Sequence, residues 1–363
     1  MEPTTHSAET EGDSIMNEGS DVENKAVNIR FEEEVEVTEI PGAHNSRLGS
    51  SIIKSTAKTS TKPADHAPEG VYSVNHREKF LRADSVRTLK RKWLTKQFAR
   101  RLLAEFIGTG LIVMFGTGSV MSAVYTDALQ GLFQIAAVWI IGVTLAIATT
   151  GPISGAHLNP SISIAFALVR PSQDFNWRHV LPYSIAQTAG AVFFSYTNLI
   201  MYSASLRQFE AANNIVRGTQ ESIASAKCFG EYYLDPIGND IAVYAEAFGT
   251  AILAFVIFSL THPKNDCQQN NVYIPPLIGC CVGALISVIA PLTQAGFNPA
   301  RDFGPRLIAY AFGWDRVSFQ GWWAFVIGPI LGAPVGAAVA EFLLYGNDSC
   351  DDDGGDGNGD DNE

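Results

Sequence analysis

The sequence predicts an all-α membrane protein, a bundle of six spanning helices and two re-entrant half-helices built as an inverted repeat. Three observations predict it. The middle of the chain holds six long apolar runs, two similar words recur within it, and an Asn-Pro dipeptide sits in apolar surroundings at each of two matching places.

Charge is very unevenly placed. Residues 1–80 carry 15 acidic and 8 basic side chains, residues 81–96 carry 1 and 6, residues 97–346 carry 13 and 11, and the tail from 347 carries 8 and none. The net charge of −12 therefore belongs mostly to the ends. This pattern predicts an acidic disordered N-terminal region over 1–80, a basic juxtamembrane segment over 81–97, a membrane domain over 98–346 and a disordered acidic tail over 347–363. It argues against an acidic soluble protein.

The spans follow in order: Leu102–Val124, Leu132–Thr150, Val180–Tyr202, Ile241–Leu260, Ile274–Leu292 and Trp322–Tyr345. Each approaches the roughly 20 residues that a helix needs to cross a bilayer. Two further apolar pieces, Asn159–Val169 and Asn298–Phe312, are too short to cross. The first run begins too far along the chain to be a cleavable signal peptide.

Lys and Arg near the helix ends set the orientation. Arg82, Arg87, Lys90, Arg91, Lys92, Lys96, Arg100 and Arg101 precede the first span, which predicts a cytoplasmic N-terminus, and six spans return the C-terminus to the same side. Arg170 and Arg178 fall in a cytoplasmic loop. Arg207, Arg217 and Lys227 run against the rule, but in a long outer loop (203–240), where it carries less weight.

The repeat is read from two landmarks. "AEFIGTGLIVMF" from Ala104 resembles "AEAFGTAILAFV" from Ala245, 141 residues later, and Asn159 and Asn298 stand 139 residues apart. Repeat 1 covers about 98–202 and repeat 2 about 241–346. With three spans each, the second must be inverted in the membrane, a plan known from transport proteins with a site at the bilayer midplane.

Each Asn-Pro reads as the start of a half-helix. Asn is a good N-cap, and Pro160 and Pro299 suit a first helical turn. Non-helical backbone at membrane depth is tolerated only inside protein or along a water-filled path. Two half-helices meeting at their N-termini bring positive dipole ends and two amide donors to the centre of a pore. Two ordinary proline kinks would leave the matched asparagines unexplained.

Taken together, "SGAHLNPSIS", "FNPARDFGPR" and the acids of the repeated words resemble the aquaporins of the major intrinsic protein family, and within it the aquaglyceroporins. "NIVRGTQES" in the outer loop resembles bacterial glycerol channels. The resemblance covers about Phe98 to Tyr345. It implies the aquaporin-like bundle and a homotetramer with one pore per subunit.

On this resemblance, Asn159 and Asn298 would donate to a passing oxygen. The carbonyls of Gly155, Ala156 and His157, and of Ala295, Gly296 and Phe297, would offer acceptors. Arg301, one turn beyond Asn298, would form the outer constriction, a structural ion-pair role being the alternative. Glu105 and Glu246 are read as structural acids that hold the extended peptides, with a proton relay as the alternative. His157 reads as a wall residue in preference to a pH gate.

The filter departs from that of close relatives. Trp139 matches the tryptophan of glycerol channels, but Ile286 stands where water-selective relatives have His and bacterial glycerol channels have Gly, and Ala295 stands where glycerol channels carry Phe. Trp-Ile-Ala-Arg resembles the filter of some plant nodulin-type relatives. Asp302 and Arg306 match the glycerol-channel pattern, whereas Phe325-Val326 replaces an expected Pro-Leu pair and Ser161 makes the first box NPS. These residues imply a passive channel for glycerol, other small uncharged solutes such as urea, and water, excluding ions and protons. A water-selective channel and a non-conducting junction protein of the same fold are the alternatives. A secondary transporter would need an ion-coupling carboxylate in the path, and Glu105 and Glu246 lie instead in the packing words.

Other signals are weaker. Cys228, Cys267, Cys280, Cys281 and Cys350 have no metal or disulfide spacing, and Cys280 and Cys281 read as span packing. "DDDGGDGNGDDNE" fails the calcium-loop template. "NDS" at Asn347 is a glycosylation triplet on the cytoplasmic side. Ser85, three residues after Arg82, is a candidate phosphosite, an unmodified serine being the alternative, in a basic stretch read as positive-inside anchoring in preference to contact with anionic lipid. No cofactor, metal, catalysis or nucleic-acid partner is expected. The plasma membrane is favoured over an organelle membrane.

Overall fold

The computed structural model describes residues 76–233, 235–269 and 271–346, with side chains from residue 96 onward except 269. Among these residues there is no strand. Eight helices build the bundle: α1 (His76–Thr126), α2 (Leu132–Ser154), α3 (Pro160–Val169), α4 (Trp177–Ala212), α5 (Asn239–Leu260), α6 (Ile274–Thr293), α7 (Pro299–Ala309) and α8 (Ala324–Ala338), the last running on through a π-helical segment, Val339–Leu344.

Five of these are long and apolar enough to cross a membrane: Lys96–Thr126 within α1, then α2, α5, Asn271–Thr293 and Ala324–Leu344. The sixth expected span lies within α4, which is 36 residues long and carries buried Gln187, Ser195 and Asn198. Those polar groups dilute its apolar character, and two of them bond inside the bundle. Gln187 Nε2 donates to Glu105 at 2.7 Å and Asn198 Nδ2 donates to Thr117 Oγ1 at 2.9 Å.

The helix starts differ from expectation at two places. α1 begins at His76, so residues 76–80 are helical where disorder was expected. No proline or glycine interrupts 76–107, and the stretch is rich in Arg, Lys and Leu, all good helix formers. α7 ends at Ala309 and the chain then turns through a π segment broken at Gly313, short of the expected Phe312 boundary for a regular half-helix. The side chain of Ser85, most of the region 1–80 and the tail from 347 lie outside the described residues.

The repeat is visible in the packing. α1 packs mainly on α4, and α5 on α8. In the first pair Gly190 lies against the Phe106 carbonyl, and in the second Gly332 lies against the Ala247 carbonyl. At both crossings a Cβ would collide with backbone, so only glycine permits the approach. The half-helices are exchanged between the halves: α3 packs against α8, and α7 against α4. The apolar cluster built on Trp139, Val143, Ile278, Ile286, Ile289 and Phe297 joins α2 and α6 around the central path.

Among the described cysteines all are free thiols. Cys281 packs against this cluster, but Cys280, expected in span packing, faces outward on α6. Cys228 lies buried in the outer loop, where burial pushes its thiol up to about 12 and keeps it neutral. Arg217 of that loop, expected to run against the orientation rule, is engaged by Glu210 at 2.9 Å and lies 4.0 Å from the Trp314 ring, so it serves local packing.

Candidate functional site

The site is built from two extended peptides and the half-helices that follow them. α2 ends at Gly155 in the left-handed conformation (φ 87°), and α6 ends the same way at Gln294 (φ 62°). The pattern continues in step: Ala156 (φ 48°) with Ala295 (φ 66°), then Leu158 (φ 51°) with Phe297 (φ 53°). Left-handed backbone costs a non-glycine residue roughly 1–2 kcal/mol, so something must hold these turns.

Two buried carboxylates do so. Glu105 of α1 accepts the His157 amide at 3.1 Å and the Leu158 amide at 2.7 Å. Glu246 of α5 accepts the Gly296 amide at 3.1 Å and the Phe297 amide at 2.7 Å, with the Thr293 hydroxyl at 2.6 Å. Charge-assisted bonds of this kind are about twice as strong as neutral ones. The two peptides correspond residue for residue, Gly155 to Gln294 and His157 to Gly296, and Ala295, Gly296 and Phe297, the triplet expected along the path, all line the central cavity.

At the centre the asparagines cap α3 and α7. Asn159 Oδ1 accepts the Ser161 amide at 2.9 Å and its hydroxyl at 2.6 Å; Asn298 Oδ1 accepts the Ala300 and Arg301 amides at 3.1 and 3.2 Å. The serine of the first box thus adds a bond that alanine could not make. The amide nitrogens then cross the pseudo-twofold. Asn159 Nδ2 donates to the Phe297 carbonyl at 2.8 Å and Asn298 Nδ2 to the Leu158 carbonyl at 2.7 Å. Each amide has two hydrogens, so this bond commits one of them, and both asparagines line the central cavity. The Phe297 carbonyl, expected along the path, is therefore engaged by Asn159.

Trp139, Ile286, Ala295 and Arg301, the residues expected at the constriction, are all buried and all line one cavity of about 910 Å³. Gly155, Ala156, His157, Asn159, Gly296, Phe297 and Asn298 line the same cavity. The Arg301 guanidinium lies 4.6 Å from the Trp139 ring. Its Nη2 pairs with the carboxylate of Glu231, a residue of the outer loop that sequence reasoning missed. Among the described residues, Arg301 Nε and Nη1 have no hydrogen-bond partner. The constriction thus joins an apolar wall to two buried donors, with a carboxylate offsetting their charge. Nothing local marks Glu231, which lies 70 residues before Arg301; only the loop's return into the pore mouth brings them together.

His157 is held in the wall. Its ring stacks on Phe166 at 4.6 Å, and its Nδ1 lies 3.2 Å from Ser163 Oγ. Phe325, the departure in the last span, is fully buried 5.3 Å from the Arg306 guanidinium and fills the space behind Gly296.

Comparison with known proteins agrees with this geometry. The chain is 40% identical to the glycerol uptake facilitator protein of Pseudomonas aeruginosa over 248 residues, 67% of this chain and 88% of that one. It is 37% identical to the propanediol uptake facilitator of Citrobacter freundii over 254 residues, 68% of this chain and 93% of that one. The X-ray structure of the aquaglyceroporin from Plasmodium falciparum superposes with a TM-score of 0.56 at 23% identity, covering 68% of this chain and 97% of that one, a likeness of fold. The family model for major intrinsic protein matches residues 92–340. The chain belongs to the major intrinsic protein family.

Proposed function

We propose that the protein is a passive channel of the aquaglyceroporin type, conducting glycerol, other small uncharged solutes such as urea, and water. The observation that carries this reading is the constriction: Arg301 offers two unpaired donors, Nε and Nη1, beside the apolar surfaces of Trp139 and Ile286. A polyol has both faces, hydroxyls for the donors and carbons for the wall. The remaining amide hydrogens of Asn159 and Asn298, and the positive ends of α3 and α7, favour an oxygen at the centre and oppose cations there. The glycerol and propanediol uptake facilitators among its relatives support the same solute class.

In this reading four subunits each carry one pore in the membrane lipid, both termini face the cytoplasm, and the plasma membrane is the site of action. Stopped-flow swelling of proteoliposomes with water, glycerol and urea in parallel tests it. Glycerol flux should rise linearly with its gradient, without saturation or ion dependence. Flux no greater than in empty liposomes would leave a water-selective channel, or a non-conducting junction protein, in its place.

A further inference from the structure

Asp302 and Arg306 are fully buried on α7, yet neither lines the cavity. They form an ion pair one helical turn apart, Arg306 Nε donating to Asp302 Oδ2 at 2.7 Å. One further polar atom of each reaches the same residue of the 203–240 loop, Glu231. Asp302 Oδ1 accepts the Glu231 amide at 2.7 Å, and Arg306 Nη2 donates to the Glu231 carbonyl. Arg306 is itself immobilised by the Ser318 carbonyl at 2.7 Å and by the Tyr232 ring at 4.9 Å. Gln294, at the turn that opens the second extended peptide, accepts the neighbouring Tyr232 amide at 2.8 Å. Gly230 completes the fit, since a Cβ there would press on the Arg306 side chain.

Both backbone groups of Glu231 are therefore held by one buried ion pair, and its side chain is delivered to Arg301 Nη2. That contact leaves Nε and Nη1 as the guanidinium donors without a hydrogen-bond partner among the described residues. We propose that Asp302 and Arg306 are positioning residues for the filter, acting on Arg301 through Glu231. The inference rests on the filter reading of Arg301 and adds to it the part of the protein that sets the guanidinium's orientation. One short half-helix then carries the filter cation and, at the next position along, the clamp that aims it.

Asp302→Asn tests this. An amide has one acceptor, so its NH₂ must face either the Glu231 amide or the Arg306 guanidinium, and one bond becomes a donor–donor contact. The measurement is the glycerol-to-water permeability ratio in proteoliposomes, with tetramer yield recorded alongside. The ratio should fall about threefold or more in Asp302→Asn and in Glu231→Ala, and the double variant should fall no further, the behaviour of residues acting through one contact. A purely structural role would lower glycerol and water flux in proportion and leave the ratio unchanged, which overturns the proposal. So would effects that multiply in the double variant. Should Asp302→Asn fail to assemble, Gln294→Asn, which tolerates the left-handed turn but is too short to reach Tyr232, carries the same expectation. Absence of glycerol flux in the unmodified channel overturns the filter reading and this proposal with it. Unmodified flux with an unchanged variant ratio overturns this proposal alone.

Discussion

Arg170, which follows the last residue of α3, and Glu341, near the end of α8, form an ion pair that joins the two halves of the chain. Arg170 Nε lies 3.0 Å from Glu341 Oε2, Nη1 donates to the Thr261 carbonyl at 3.2 Å, and Nη2 to the Phe258 carbonyl at 3.0 Å. The two carbonyls belong to the C-terminal end of α5, which has no intrahelical donors left for them. A cation there also complements the helix dipole. Its guanidinium lies 4.8 Å from the Phe258 ring. One side chain thus ties the end of α3 remote from Asn159 to α5 and α8.

Arg170→Ala should therefore destabilise the bundle by about 2–4 kcal/mol, because it strands a partly buried carboxylate and two helix-end carbonyls. Arg170→Lys should recover only part of the loss, since an ammonium cannot make the forked contact. Thermal unfolding of the detergent-solubilised protein reads both, and an unchanged midpoint in Arg170→Ala would show that the network contributes nothing.

Glu246→Gln should cost more than its small change of shape suggests. Glu246 accepts backbone amides with both oxygens, Gly296 on one and Phe297 on the other. A glutamine must turn its NH₂ toward one of them, at about 1–3 kcal/mol for the lost acceptor, and the left-handed turns at Ala295 and Phe297 lose their support. Glycerol and water flux per reconstituted protein should both fall. Wild-type flux from Glu246→Gln would assign the holding of that peptide to other contacts.

Arg301→Ala should alter charge selection, not only width. The Glu231 side chain is 4% exposed and burial pushes its acid up to about 8, so removing Arg301 leaves a buried, proton-exchanging acid there without its guanidinium partner. Exclusion of cations should weaken, read as proton or sodium leak in proteoliposomes. Glu231→Gln added to Arg301→Ala should suppress the leak. Ion exclusion equal to wild type in folded Arg301→Ala would remove Arg301 from the barrier.

Ile286→His should narrow the filter. The imidazole would stand with Trp139 and Arg301 around the same cavity, adding bulk and a donor. The guanidinium lies against the Trp139 ring, so the wall has little room to yield, and even about 1 Å of lost width acts on glycerol as contact repulsion. Glycerol permeability should collapse while water permeability stays within a few-fold. Retained glycerol flux would show that Ile286 does not limit the pore.

Much of the site was legible because its signals are local. Asn-Pro marks a capped helix start whatever lies around it, since the cap bond runs to an amide two or three residues on. The repeated "AEFIGTG" and "AEAFGTA" placed both acids in equivalent positions, and spacing from Asn298 put Arg301 on the first turn of α7. The left-handed turns that end α2 and α6 were only half legible: Gly155 is the residue such a turn favours, whereas Gln294 carries no such mark.

By itself, then, the sequence determined the helices, their pairing into two inverted halves, and the residues that cap each half-helix, because apolar length, propensity and capping act between neighbours in the chain. Tertiary structure alone decided which distant groups meet. The bond from the Asn159 amide to the Phe297 carbonyl, the return of Glu231 to Arg301, and the bond from Arg170 to Glu341 join residues 138, 70 and 171 positions apart. Their physical reason is shared. A buried donor or charge must find a partner, and which partner lies within reach is settled only when α3 and α7 are packed against helices of the opposite half.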